Sequence, residues 1–544
     1  MSTGNQGSIQ TFLSEIDWVV YGFGLGVSVL AIIGLIAAPE AAKGFINDSF
    51  SYMTGNFAWF YLWSMFLLVV FALFLVVSPW GNIRIGKPDD EPEHSYKSYF
   101  AMLYSAGIAA GIVFWGPAEA IWHYTMWAPP GGPAGGAEGG TAQAAVNAVQ
   151  YTFFHWGISA WSAYVMIALP VAFFAYRHGA PMRISTVLAP FVGTDNLDGW
   201  LAKIIDILAV FATIGGIGTT LGFVGSQFLT GLNYNWGVQV GDVGTVLMIT
   251  GLTVAFTISV ALGVEKGIKR VSNFNMTVFF LLMAAAFILG PTGYILAIGT
   301  EAMGGYVNQF IELSLYTNAE GLEPTGWVGA WTVFYWAWWF AWAPFVGLFI
   351  ARISKGRTVR QMVGTGVLAS TGATIPWFAT LGGTSIWMES TGSAEIVPVL
   401  NNLGEAGAGY PLFDALPGGS ILVLLFLTLI VTFFVTSADS STLALGMLTT
   451  HGKEHPSTIN RVIWGATMGA LASLLIVVGG TGALQTASVI TGGPFALITL
   501  LAVWATIRTF RYERPLFLTE KERDDRRHAS VDPSASPGSA VDDD

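Results

Sequence analysis

Apolar runs recur along nearly the whole of this 544-residue chain, each close to the roughly 20 residues an α-helix needs to cross a bilayer. That pattern constrains the fold more than any motif does. Only 10% of the residues are charged and 53% are hydrophobic, against about 25% charged in an ordinary soluble domain. So few charges cannot cover the surfaces of several soluble domains, and the mean hydropathy of +0.59 agrees. The sequence therefore predicts an all-α polytopic membrane protein. Cysteine is absent, which excludes disulfides and thiolate metal sites. The stretch Met1 to Asp17 is polar, without the basic start and small-residue cleavage site of a signal peptide, so the first apolar run reads as a retained helix. The net charge is −11. An acidic surface suits a high-salt host and equally suits an ordinary acidic tail.

Hydropathy places about twelve spans, at roughly 17–38, 57–79, 98–126, 145–175, 200–232, 243–263, 274–298, 327–351, 362–383, 418–447, 459–479 and 487–508. Charge tests the layout. If the spans alternate, one side holds Arg84, Lys87, Lys97, Arg177, Arg183, Lys203, Lys266, Lys269, Arg270, Arg352, Lys355, Arg357, Arg360, Lys453, Arg461 and the basic stretch Arg508 to Arg527. The other side keeps only Lys43. The positive-inside rule then sets both termini in the cytoplasm of a cell (plasma) membrane protein. Between the spans, Ala128 to Gly140 reads as a flexible outer Gly/Pro loop, and the outer loop 299–326 carries an amphipathic piece, Phe310 to Tyr316, suited to the interface. Segment 1–16 is a cytoplasmic start and 511–544 a disordered acidic cytoplasmic tail.

Three spans carry chemistry. The third, SAGIAAGIVFWGPAEA from Ser105 to Ala120, mixes glycines, a proline and the carboxylate of Glu119. Such weak helix is met at membrane depth where backbone lines a cavity, or where small residues allow close packing. The eighth, WTVFYWAWWFAWAPF, continues its indoles through more than two turns. Trp338 and Trp342, four apart, share a face, and Trp339 lies on its rim. Indole faces attract a cation without a formal counter-charge, gaining about 2 kcal/mol or more once water is excluded. A quaternary ammonium has no N–H to donate, so an aromatic box suits it better than a carboxylate; an aromatic packing stripe is the plainer reading. The fourth span adds Trp156, Trp161 and Tyr164 in FFHWGISAWSAY. In the tenth, Thr436 and Ser437 set adjacent hydroxyls in the membrane core, where each can also bond back to the preceding turn.

The run GWVGAWTVFYWAWWFAWAPFVGLFIARISKGRTVR resembles the signature of the betaine/carnitine/choline transporter family. FFHWGISAWSAY, SAGIAAGIVFWGPAEA and VTSADSSTLALGML match further segments, and the resemblance extends over roughly residues 15–515. It implies a LeuT-type fold with two inverted five-helix repeats (98–298 and 327–510) after two extra helices (17–97), and commonly a homotrimer. It implies that Trp338, Trp339 and Trp342 face the trimethylammonium group, with Trp156, Trp161 and Tyr164 around the central site, Phe334 at a neighbouring gate, and Gly107, Ala109 and Gly111 from the glycine motif beside them. It also implies one sodium site from the hydroxyls of Thr436 and Ser437 with carbonyls of Ser105, Ile108 and Phe433, oxygen ligands of the kind a hard cation requires. A second sodium position retains Thr213, but Ile217 stands where another threonine is expected. Choline-preferring members carry an aspartate where this chain has Gly111, which favours zwitterionic glycine betaine.

The expected function is therefore import of glycine betaine by sodium symport with alternating access, with sodium as coupling ion and no other cofactor. The bilayer and the small solute are the expected partners, not nucleic acid. Sodium-independent carnitine/betaine exchange, and a channel or sensor that binds ammonium solutes, are the alternatives. An enzyme lacks its materials: no HExxH pair and no P-loop occur. His123 and His155, without a nearby Cys or carboxylate cluster of ligand spacing, read as packing or interface residues, and Glu119 and Asp439 as structural hydrogen-bonding groups.

Overall fold

The computed structural model describes residues 9–107, 110–125, 137–261, 265–319 and 326–512. In chain order the helices are α1 (Ile9–Glu15), α2 (Trp18–Ala37), α3 (Pro39–Val77), α4 (Tyr96–Gly107), α5 (Gly111–Thr125), α6 (Ala142–Trp156), α7 (Ile158–His178) and α8 (Ala189–Val192). Then follow α9 (Trp200–Trp236), α10 (Asp242–Ala261), α11 (Glu265–Leu289), α12 (Thr292–Leu315), α13 (Phe334–Ile353) and α14 (Val359–Val363). The last are α15 (Ser370–Thr391), α16 (Ile396–Leu403), α17 (Gly409–Asp414), α18 (Gly419–Leu448) and α19 (Thr458–Tyr512). Among the described residues β-structure is limited to one isolated antiparallel bridge, Arg84 to Thr358. The protein is an all-helical, multi-pass membrane protein. Eight helical segments among the described residues are long and apolar enough to cross a bilayer, and the bent pair α4–α5 makes a ninth.

Local chemistry explains where the helices begin and stop. Asp17 caps α2, its carboxylate accepting from the Val19 and Val20 amides at 3.0 and 3.3 Å. Pro39 opens α3, where its missing N–H is no loss. Gly157 interrupts α6 and α7 with φ −86° and ψ −137°. Gly480, at φ 61° and ψ −150°, breaks the 55-residue stretch of α19, so the eleventh and twelfth expected spans lie on either side of one glycine. The expected span 274–298 is divided by Pro291: α11 ends at Leu289 and α12 starts afresh at Thr292. The interfacial piece Phe310 to Tyr316 is thereby the end of a longer helix. The expected outer Gly/Pro loop falls mostly outside the described residues, as does the acidic tail.

Helix α13 sits at the centre. It is apolar all round and buried on nearly every side, as an internal helix must be. It packs on α7, α9 and α19, while α2 and α3 lie outside with Phe23, Leu30, Trp59 and Trp63 exposed, a surface matched to lipid. Two apolar recesses open on this periphery, about 460 Å³ between α2, α3, α9 and α19, and about 620 Å³ between α11, α12 and α15.

A polar clasp ties the α3–α4 connection to the α13–α14 connection. The Ile85 amide donates to the Arg357 carbonyl at 2.8 Å and the Gly356 amide to the Ile85 carbonyl at 2.7 Å. Arg84 donates to the Asp90 and Gly356 carbonyls, and Arg360 to the Val76 and Ser78 carbonyls at the end of α3. Buried Arg357 donates to the His94 carbonyl and lies over the rings of Tyr99 (4.8 Å) and Tyr96 (5.4 Å). Lysine cannot reproduce that planar stack. The substitution Arg357→Lys is expected to cost about 1–2 kcal/mol. It should lower the thermal midpoint in detergent and admit protease cleavage between Trp80 and His94; an unchanged melting curve and digestion pattern would refute the role given to the clasp.

Candidate functional site

The break between α4 and α5, whose axes are bent 67° from one another, faces the two indole-bearing helices α6–α7 and α13. Here Gly107, Ile112, Trp156, Ala160, Trp161, Tyr164, Trp339 and Thr374 enclose a small cavity of about 10 Å³, room for roughly one water molecule. Four of its walls are aromatic. Trp156 and Trp339 meet edge to face at 4.8 Å, Trp161 and Tyr164 at 5.9 Å, and Tyr164 and Trp339 at 6.2 Å. The hydroxyl of Tyr164 is buried without a hydrogen-bond partner among the described residues, a cost of about 1–3 kcal/mol that a polar ligand group would recover. No Lys, Arg, Asp or Glu lies among the lining residues.

The expected aromatic residues divide into two groups. Trp156, Trp161, Tyr164 and Trp339 converge on the cavity. Trp338 and Trp342 point toward α9, and both indole N–H groups donate to the one carbonyl of Gly216, at 3.1 and 3.0 Å. Trp338 also stacks on Trp339 (5.0 Å) and on Phe334 (5.6 Å), so it backs the cage without lining it. Phe334 packs with Phe223 and Trp115 on that same far side. Trp339 is anchored separately, by its N–H on the His155 carbonyl at 3.0 Å. The one-residue step from 338 to 339 turns the indole through about 100°, which separates wall from backing.

The glycines permit this closeness. A Cβ on Gly107 would collide with the Trp161 ring, and one on Gly111 would lie 2.5 Å from Cη2 of Trp338. Ala109 lies outside the described residues, as does Ile108. Of the other expected sodium ligands, Ser105 is exposed on α4 and Phe433 is buried in α18. The Thr436 hydroxyl donates back to the Thr432 and Phe433 carbonyls, both at 3.2 Å, and accepts from Asn275 Nδ2. Ser437 is half-buried beside it. Thr213 is buried and donates to the Ala209 carbonyl at 2.7 Å. One turn on, Ile217 is buried, while Thr219 donates to the Leu484 carbonyl at 2.6 Å. Asp439 forms an ion pair with Arg461 at 2.7 Å.

The sequence reading missed the grouping behind the cage. Glu119, fully buried on α5, takes the Trp156 indole N–H at 2.7 Å and the Tyr335 hydroxyl at 2.6 Å on Oε2. Its Oε1 meets His155 Nδ1 at 2.6 Å and His123 Nε2 at 3.4 Å. His155 Nε2 lies 3.1 Å from the Thr332 hydroxyl. Two histidines and a carboxylate within 4.8 Å match a metal ligand set in kind, yet here they are spent on one another and on Trp156 and Tyr335. Glu119 and His123 are four apart on one helix, a spacing that placed them on one face; nothing in the sequence brought His155 to the same point.

The family model for the betaine/carnitine/choline family transporters matches residues 19–515. The glycine betaine transporter OpuD of Bacillus subtilis is 37% identical over 503 residues, covering 92% of this chain and 95% of the relative. Glycine betaine transporter 1 of Vibrio parahaemolyticus is 35% identical over 525 residues, 94% of this chain and 97% of the relative. A glycine betaine/proline/choline/ectoine transporter of the same bacterium is 36% identical over 523 residues, 93% and 90% respectively.

The packing itself is open to test. Adding one methyl at Gly111 pushes on an indole held by Gly216, Phe334 and Phe223, overpacking of the kind that costs about 1–3 kcal/mol. Gly111→Ala is therefore expected to lower the thermal midpoint and shift tryptophan emission, and a variant identical to the parent in both would show that Trp338 is not tightly held.

Proposed function

The chain belongs to the betaine/carnitine/choline family of transporters, and from that premise we propose that it imports glycine betaine by sodium symport with alternating access. It is a transporter of a small quaternary-ammonium solute, not an enzyme. The observation that carries the finer reading is the convergence of Trp156, Trp161, Tyr164 and Trp339 on one cavity whose lining holds no charged residue. Ring faces supply the attraction for a methylated nitrogen that has no N–H to donate. The Tyr164 hydroxyl, without a partner among the described residues, offers a donor for the carboxylate end of a zwitterion. That a relative is named for glycine betaine, and another for proline, choline and ectoine as well, supports a solute of this class.

The coupling ion is assigned to Thr436 and Ser437 with backbone oxygens of Ser105, Ile108 and Phe433. Both hydroxyls sit at the middle of α18, and a sodium ion would take the Thr436 oxygen in exchange for its bond to the preceding turn. A second sodium at Thr213 has less support, with buried Ile217 offering no oxygen side chain. Helix α9 from Ile204 to Trp236 contains no Lys or Arg that would replace an ion, which favours symport over sodium-independent exchange. In this reading the helices make twelve spans, two inverted repeats of five (98–298 and 327–510) after the pair in 17–97. Both termini are cytoplasmic in the plasma membrane, and the assembly is a homotrimer.

Purified protein in sealed vesicles decides the main claim. An inward sodium gradient should drive labelled glycine betaine above its equilibrium level, and uptake that stops at equilibrium would make the protein a channel or an exchanger. Trp339→Ala should weaken binding by about 1–2 kcal/mol, the size of a lost desolvated cation–π contact, while Trp342→Ala should leave it within about twofold. Equal losses in the two would dissolve the distinction between wall and backing. The absence of cysteine makes orientation simple to read. A membrane-impermeant maleimide applied to intact cells should label Glu138→Cys and not His455→Cys, both exposed positions, and the reverse pattern would invert the topology.

A further inference from the structure

A buried amide on α11 stands beside the hydroxyl assigned to the coupling ion. Asn275 belongs to the inward stripe of that helix, where Val278, Phe279, Leu282 and Ala286 are apolar and buried. The side chain is 2% exposed, and its Nδ2 donates to the Thr436 hydroxyl on α18 at 3.2 Å. That hydroxyl directs its own hydrogen at the Thr432 and Phe433 carbonyls, both at 3.2 Å, so toward Asn275 it acts as the acceptor. The other end of the amide, Oδ1, is buried without a hydrogen-bond partner among the described residues. A carboxamide in an apolar stripe, with one end used and the other idle, needs an explanation.

An idle buried acceptor costs about 1–3 kcal/mol, which a positive group would recover. The terminal torsion of asparagine is broad and two-fold, so half a turn exchanges the two ends of the amide and sets Oδ1 where Nδ2 now meets Thr436. As placed, the N–H points its positive end at the Thr436 oxygen; turned, the amide offers an oxygen to any cation held there. The same face of α11 reaches the break between α4 and α5. Phe279, one turn on from Asn275, stacks on Trp377 at 3.9 Å, and the Trp377 indole donates to the Ile112 carbonyl at the start of α5. Asn275 thus lies on the surface that joins the α18 hydroxyls to the broken span. The carboxylate closest along α18, Asp439, is committed to Arg461 at 2.7 Å.

We propose that Asn275 supplies a third side-chain oxygen to the sodium site, beside Thr436 and Ser437, by turning from its N–H bond with Thr436 to present Oδ1 to the ion. The proposal rests on the reading that sodium binds at Thr436 and Ser437. A neutral amide oxygen attracts a hard cation without gripping it as a carboxylate would, which suits an ion that must leave again in each cycle.

Calorimetric titration of the purified full-length protein with glycine betaine, repeated over a series of sodium chloride concentrations with ionic strength held by potassium chloride, gives the sodium concentration at which binding is half restored. Asn275→Leu keeps the size and removes both polar ends, and should raise that concentration about tenfold or more, the scale of a lost contact to a charged group. Asn275→Asp puts two oxygens and a negative charge in the same place and should lower it about threefold or more. A role confined to the hydrogen bond with Thr436, or an Oδ1 satisfied by a buried water, predicts little change in the Leu variant and no gain in the Asp variant. A Leu variant within about twofold of the parent overturns the proposal. So does an Asp variant that needs as much sodium as the parent or more, and this second measurement stands alone should the Leu variant not fold. Glycine betaine binding that ignores sodium in the parent overturns the sodium reading and this inference together, whereas a raised requirement in Thr436→Ala with none in Asn275→Leu overturns the inference alone.

Discussion

Hydrocarbon offers no partner to a peptide group, and this one condition organises the molecule. Every N–H and C=O at membrane depth must be satisfied within the protein, so the chain is helix wherever it meets lipid. Two departures from helix occur where protein surrounds them. The bend between α4 and α5 faces α13, and the interruption at Gly157 lies beside Trp156 and against the hydroxyl of Tyr306, which accepts the Ile158 amide. The breaks that free backbone also gather side chains: three of the four cage residues, Trp156, Trp161 and Tyr164, sit within seven residues of Gly157 in the chain.

Helix was legible because it depends on sums. A run of apolar residues survives errors at single positions, and the expected spans fall on helices among the described residues. Interruptions were legible where one residue carries them, as Gly480 does, and were missed where the hydropathy stays high across a proline, as at Pro291. The family itself was readable in the tryptophan-rich run, and the match over residues 19–515 agrees.

The site was legible in its residue types and less so in its geometry. Helical spacing groups Trp338 with Trp342 correctly, since both reach the Gly216 carbonyl, but spacing says nothing of which face meets the cavity. That choice is made by the packing of α7 and α9 on α13. Glu119 was harder still. Its partners come from α5, α6 and α13, and only the tertiary fold brings Trp156 and Tyr335 to one oxygen. An isolated carboxylate in a span announces that something must pair with it, not what that something is.

The cavity's size has its own thermodynamic meaning. On the proposed function, a space of about 10 Å³ is a keyhole narrower than its key, so a trimethylated nitrogen would enter only after rings swing aside. Any measured affinity is then the intrinsic affinity of the opened form scaled by how rarely that form is visited. Residues that loosen or stiffen the surrounding indoles can therefore tune how tightly the solute is held, even when they never come near it.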